Sequence, residues 1–318
     1  MLDLKKFKYH VLLFLAPCVL LSIPLDYCLS YILKQSHLTS GEYEVWNDIY
    51  ESKANCDIAI YGSSRAWVHI DPSILNDTLN ESVYNFGING HNFWLQYLRH
   101  VELIKYNVVP KKIILSVDMF TLEKRTDLFL MEQFLPYMLW NENIKKYTIS
   151  SVGFNSADYS IPLVRYFGSS KSFLKTIKSF LNFSSKDNFR KKGFRGMDRK
   201  WNDDFQTAKD SLGEYVSKVD VKSIELLEKF ILECKDLNID LMFVYTPEYI
   251  KGQQFVSNRK QVLNIFSQYA KKYNLVFLDY STDSICLNKN LFYNASHLNK
   301  TGAKIFSEKL AGDLKNLN

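Results

Sequence analysis

The chain has 318 residues, a formal net charge of +6, and 47% hydrophobic and 23% charged residues. That balance describes a folded chain able to bury a large core and excludes a disordered one. The charge is too weak to argue for nucleic acid. Five scattered cysteines, with no CxxC pair or Cys/His cluster, point to no zinc site, redox centre or disulfide framework, so neither metal nor cofactor is expected.

In chain order, Lys5, Lys6 and Lys8 precede an uncharged run from Val11 to Leu25, and Val11–Leu33 carries one charge, Asp26. The stretch is long enough to span a bilayer, and basic residues before it favour a cytoplasmic N-terminus. Residues 1–34 are therefore expected to be a single-pass membrane anchor with the rest of the chain outside the cytoplasm. A cleaved signal segment, for which no A-x-A site is evident, and a buried helix are the alternatives. Residues 35–55 read as a juxtamembrane connector and 56–318 as an α/β domain.

In that domain the first strand is expected at Asp57–Tyr61. It is followed by a glycine turn, Gly62-Ser63-Ser64-Arg65, and an amphipathic helix. The second strand, Ser82–Phe86, runs into Gly87-Ile88-Asn89-Gly90. Trp94, Tyr97, Leu98, Val101 and Ile104 then repeat at helical spacing. The third strand, Lys112–Val117, has the continuous apolar character of a buried parallel strand and ends at Asp118. From about Thr121 to Asp220 the alternation breaks down, and residues 121–220 read as an insertion, with helical patterns at Leu130–Leu139 and Ser172–Leu181. Lys186–Lys200 contains seven basic residues, either a solvated loop or a surface for anionic glycan or lipid headgroups. Regular alternation returns with strands at Ile239–Tyr245 and Leu275–Leu278, and a last helix capped by Asn299. Strands alternating with helices predict a flavodoxin-like five-stranded parallel sheet, order 2-1-3-4-5, with helices on both faces.

Ligands of such sheets bind at the carboxyl ends of the strands. Ser64 follows the first strand, where serine and glycine also make ordinary turns and caps. Gly90 follows the second strand, Asp118 the third and His297 the fifth. A serine, a histidine to take its proton, a group to orient that histidine and N–H donors for an oxyanion are the parts of nucleophilic acyl transfer. Arg65 and His91 lie beside them as candidate substrate contacts, with Asp118. Trp67 and Trp201 are candidate sugar-stacking residues, whereas the spacing of Trp94 suits the core.

These blocks resemble the SGNH (GDSL-like) hydrolase superfamily. Gly62-Ser63-Ser64 stands where that family has Gly-Asp-Ser, and Asn85-x-Gly87-x-x-Gly90 resembles its second block. Asn294-Ala295-Ser296-His297 resembles its last, Asp-x-x-His. The resemblance covers roughly 56–118 and 275–314. It implies Ser64 as nucleophile, His297 as general base, and the N–H groups of Ser64 and Gly90 as oxyanion donors. The sequence departs from the family pattern at two chemical positions. Asp118 stands where the third block has an asparagine, and an ionised carboxylate cannot donate to an oxyanion, so either Asn89 or Asn92 substitutes or the hole consists of the Ser64 and Gly90 N–H groups alone. Asn294 stands where the triad has an aspartate; its amide oxygen can still accept from the histidine N–H, and Asp279, Asp283 and Glu248 are the alternative carboxylates. With the anchor, the chain is similar to membrane-anchored SGNH proteins of teichoic-acid D-alanylation and alginate acetylation, which work beside membrane-bound O-acyltransferases. That likeness implies a serine esterase or O-acyltransferase acting on acyl esters of cell-envelope glycans. A non-catalytic glycan-binding or assembly protein and a lipid-directed esterase are the alternatives.

Overall fold

The computed structural model describes residues 2–36, 39–167 and 189–317; the expected helix at Ser172–Leu181, and Lys186 of the basic run, lie outside the described residues. By packing, residues 44–125 and 189–318 form one unit, and residues 1–43 with the described part of 126–188 form another.

The first of these units holds the sheet. Its strands are β1 (Ile58–Gly62), β2 (Val83–Asn85), β3 (Lys112–Val117), β4 (Asp240–Tyr245) and β5 (Val276–Asp279). All pair in parallel, in the order β2-β1-β3-β4-β5. This is the flavodoxin-like order expected from the alternation, and every strand end falls within one residue of the expected position. Side chains alternate across a strand, so β1 feeds two cores. Ile58 and Ile60 join Ile114, Met242 and Val244 against the helices Pro72–Leu79 and Lys300–Leu317, through Leu75, Phe306 and Leu310. Tyr61 faces the other way, against Phe86, His100 and Phe230, the last two from helices Phe93–Tyr106 and Val221–Asp236. Side-chain caps start these helices where the sequence places them: Asp220 accepts from Ser223 N–H at 2.9 Å, and Asn299 from Gly302 N–H at 3.0 Å.

The strand β2 lies at the edge of the sheet, and the basic segment covers it. Asn85 N–H donates to the Lys192 carbonyl at 3.0 Å, while Lys191 and Phe194 exchange backbone hydrogen bonds at 2.8 and 3.0 Å. Gly193, at φ +77°, makes that approach possible: a Cβ there would lie 1.6 Å from the Asn85 carbonyl oxygen. Arg190 lies 4.1 Å over the Trp67 ring and donates to the Gly87 carbonyl at 2.8 Å. Trp67 is 4% exposed and packs with Val68, Met197 and Tyr293. The expectation that Trp67 stacks on sugars is thereby corrected, because its face is already occupied by a guanidinium. Part of the basic run is likewise structural, not a solvated loop.

In the other unit, one long helix spans Leu2–Lys34. By length and composition its Leu4–Lys34 stretch is the candidate membrane span among the described residues. Large side chains from Leu4 to Leu21 are exposed, whereas Asp26, Ser30 and Leu33 are buried. Asp26 receives a bidentate contact from Arg165 at 2.7 and 2.6 Å, and its oxygen also accepts from Leu163 N–H at 2.6 Å. Ser30 and Tyr166 share a hydrogen bond of 2.7 Å. The one acidic residue in the expected span is thus neutralised inside protein. The helix expected at Leu130–Leu139 is only a 3₁₀ turn, Met131–Phe134. Pro136 has no N–H to continue a helix and disfavours helical geometry in the residue before it.

Candidate active site

The site forms where β1 ends. Gly62 has φ +148°, and a Cβ there would lie 2.7 Å from Ala66 Cβ and 2.8 Å from the Ser116 carbonyl oxygen. Only glycine lets β1 turn this sharply between β3 and the helix Ser64–His69. Ser63 is the N-cap, accepting from Arg65 N–H at 3.3 Å and donating to Asp118. Ser64 therefore occupies the first helical position, where the backbone N–H has no intrahelical acceptor.

The last strand pair, β6 (Phe292–Asn294) and β7 (His297–Leu298), carries the opposite half. Ser64 Oγ lies 2.7 Å from His297 Nε2. On the far side of the ring, His297 Nδ1 lies 2.9 Å from Asn294 Oδ1. The same oxygen accepts from the backbone N–H groups of Ser296 and His297 at 3.1 and 3.0 Å. An amide oxygen is acceptor only, so Nδ1 carries the proton and Nε2 is left to accept from Ser64. Tyr293 stacks on the His297 ring at 5.3 Å.

None of the three carboxylates considered as replacements bonds the histidine. Glu248 pairs with Arg65, Asp279 accepts from Ser281 N–H, and Asp283 accepts from Ile285 N–H and pairs with Lys309. Burial, and then the charge of Arg65, lower the His297 pKa from its usual value to about 3, with Asp204 acting weakly in the other direction. The ring is neutral at physiological pH, ready to accept a proton, but the group hydrogen-bonded behind it is a neutral amide, not a carboxylate that would steady the resulting imidazolium.

Arg65 and Asp118 do not reach for substrate as expected. Arg65 is 3% exposed. Its Nε donates to Thr246 Oγ1 at 3.2 Å, its Nη2 to the Thr246 carbonyl, and its Nη1 reaches Glu248 at 3.4 Å. Asp118, 1% exposed, accepts from Ser63 Oγ, from Phe120 N–H at 2.9 Å and from Thr121 Oγ1 at 3.0 Å. Its oxygens are occupied in fixing the turn that carries Ser63. Both residues stiffen the site instead of lining it.

His69, at the end of the helix that starts with Ser64, belongs to the same framework. Its Nε2 accepts the Leu298 N–H at 3.0 Å, so its Nδ1–H donates to Thr246 Oγ1 at 2.8 Å. His69 thus ties the helix of Ser64 to the backbone beside His297, and Thr246 holds the same helix to the end of β4. In the sequence His69 is one polar residue in a helix, and nothing there marks it as facing residue 298. Asn85 is a similar strut. Its amide donates to the carbonyls of Ala66 and Ile70, both at 2.8 Å, and its oxygen accepts from Gly87 N–H at 2.9 Å.

Two cavities meet at the Ser64–His297 pair, both bordered by Phe120 and Tyr215. One, of about 370 Å³, includes Ser64, Gly90, His91, Asn92, Glu123 and Arg125 in its lining. Gly90 sits there at φ +72°, with its carbonyl taken by Arg125 at 2.8 Å. Of the residues considered beside Gly90, His91 and Asn92 line this cavity and Asn89 does not. The other cavity, of about 280 Å³, has His297 and Asn294 at its base and Phe205, Leu212, Phe255 and Val256 among its walls. Among the described residues no cluster of side chains suited to a metal ion is found.

No protein-family model matches the chain, and no curated protein matches it in sequence. Solved structures do resemble it. One is a protein assigned to the G-D-S-L lipolytic family from Desulfitobacterium hafniense DCB-2, at 14% identity over 81% of this chain and 98% of that one, TM-score 0.39. A second is the acetyl xylan esterase AlAXEase, at 13% identity over 82% and 98%, TM-score 0.41. A third is a GDSL-like lipase from Bacteroides thetaiotaomicron VPI-5482, at 8% identity over 88% and 100%, TM-score 0.37.

Proposed function

We propose that the chain is a membrane-anchored serine esterase or O-acyltransferase. The observation that carries this reading is the relay Ser64 Oγ–His297 Nε2 at 2.7 Å with Asn294 behind Nδ1 at 2.9 Å. In the first step Ser64 Oγ bonds to the acyl carbonyl carbon and its proton passes to His297 Nε2. The carbonyl oxygen becomes an oxyanion facing the N–H groups of Ser64 and Gly90. Collapse breaks the bond to the alcohol, which leaves with the proton from Nε2. Water or an acceptor hydroxyl then takes the acyl group from Ser64 by the reverse sequence. Because His297 serves the leaving oxygen, the alcohol half of the ester belongs in the cavity of Phe205 and Phe255, and the acyl half in that of Gly90 and Arg125.

The resemblance of the Gly-Ser-Ser block and of the anchor supports acyl esters of cell-envelope glycans as the substrate class. It also supports a membrane-bound O-acyltransferase as partner. The exposed apolar side chains from Leu4 to Leu21 support insertion of that part of the helix. Residues 9–25, at 1.5 Å per residue, cover ~25 Å of bilayer. Lys5, Lys6 and Lys8 favour the cytoplasmic side for the N-terminus, which leaves Ser64 outside the cytoplasm.

The test is labelling with an activated fluorophosphonate. The intact protein takes one label on Ser64, and Ser64→Ala and His297→Ala abolish it. A wild-type protein that resists the probe at every pH overturns the catalytic reading. It would leave a binding or assembly role, which the neutral Asn294 favours.

A further inference from the structure

We infer that Asn92 supplies the side-chain oxyanion donor of this site, in place of the acid at the end of β3. The inference rests on the acyl-transfer reading above and adds a catalytic residue to it. Asp118 is excluded by its contacts: its carboxylate already accepts from Ser63, Phe120 and Thr121, and a carboxylate offers an oxyanion no proton.

Asn92 differs from Asp118 in each respect. It is the residue before the helix Phe93–Tyr106, where an asparagine side chain ordinarily accepts a hydrogen bond from the first turn, yet it makes no such bond. It is 5% exposed, and its Nδ2 is buried with no hydrogen-bond partner. An amide left so is destabilising, so its retention calls for a partner that arrives later. The cavity it lines is the one shared by Ser64 and Gly90, the two residues whose N–H groups serve the same oxyanion. Asn92 thus borders the cavity in which the negative charge develops. Asn92 also stands at the N-terminal end of a 14-residue helix, whose dipole favours that charge.

The experiment compares wild type, Asn92→Ala and Asn92→Asp in hydrolysis of a p-nitrophenyl ester. The two variants are expected to lose about 10²- to 10³-fold in kcat with KM little changed, the effect of removing one preorganised donor. Asn92→Asp keeps the shape but not the donor, so it must fall as far as Asn92→Ala. A trifluoromethyl ketone that forms the tetrahedral adduct should weaken in proportion to kcat, a response that a structural role would not produce. Thermal midpoints should be unchanged or higher, because Nδ2 has no bond to lose. If wild type hydrolyses the ester and either variant keeps more than about half its kcat, the assignment is wrong while the Ser64 reading stands. If wild type neither hydrolyses the ester nor forms the adduct, the underlying reading has failed.

Discussion

Asn294 Oδ1 holds His297 through three hydrogen bonds at once, one to the ring and two to backbone N–H groups. An aspartate in that place would have the same donors around it and would add a charge. Asn294→Asp is therefore expected to raise kcat/KM by on the order of 10- to 10²-fold, within the ~10⁴ that the reverse change costs a serine protease. The wild-type acid limb should lie well below the ordinary histidine range, since the ring titrates at about 3. In the variant it should move upward, because a carboxylate stabilises the protonated ring. A pH–rate profile of both proteins measures this; coincident acid limbs would show that charge is not what the site lacks.

Three depressed histidines make the fold sensitive to acid. Burial lowers His69 well below the usual value, His100 to about 4 and His297 to about 3. Between those values and about 6.5 the unfolded chain binds protons that the folded chain does not. Stability is therefore full above about pH 6.5 and falls as pH drops, by up to ~1.4 kcal/mol per pH unit for each group. His100, packed among Tyr61, Tyr97 and Phe230 and 3.1 Å from the Tyr61 hydroxyl, is a suitable residue to remove. Urea midpoints of His100→Phe should decline less steeply with acidification than those of wild type.

Gly62→Ala should damage the protein twice over. The added Cβ meets Ala66 and Ser116 at under 3 Å in a backbone conformation that alanine avoids. The expected loss is about 2–4 kcal/mol. Displacing the end of β1 also displaces Ser64, so phosphonate labelling should slow even where the variant remains folded. Ala66→Gly in the same chain removes one of the close contacts and should recover part of the stability.

Breaking the buried Arg65–Glu248 pair has an asymmetric outcome. Arg65→Met leaves a buried carboxylate with only Tyr245 to bond it, at 2.5 Å, and is expected to cost about 3–5 kcal/mol. Glu248→Gln keeps an oxygen for Arg65 and should cost less. The double change Arg65→Met with Glu248→Met should be milder than the sum of the two methionine variants. Denaturant melts of the cycle would read this coupling directly.

The sheet was legible because buried parallel strands are short apolar runs, and Ile58–Tyr61 and Ile113–Val117 are plain in the sequence. The positions of Ser64, Gly90 and His297 were legible because each follows such a run. What was not legible depends on contacts far apart in the chain. Arg65 looks like a substrate contact until Thr246 and Glu248 are brought to it. Trp67 looks like a sugar platform until Arg190 covers it. Asn89 and Asn92 look alike in the sequence, and only the folded turn decides that Asn92 borders the cavity of Ser64. Leu130–Leu139 had helical periodicity, but Pro136 decided the local backbone.

The turn that shields β2 has a consequence for self-association. An outer strand with open N–H and C=O groups would invite sheet extension from one copy into the next. With Asn85 N–H already bonded to Lys192, and Gly193 admitting the backbone at closest approach, the turn takes the place a neighbour's strand would need at that end of β2.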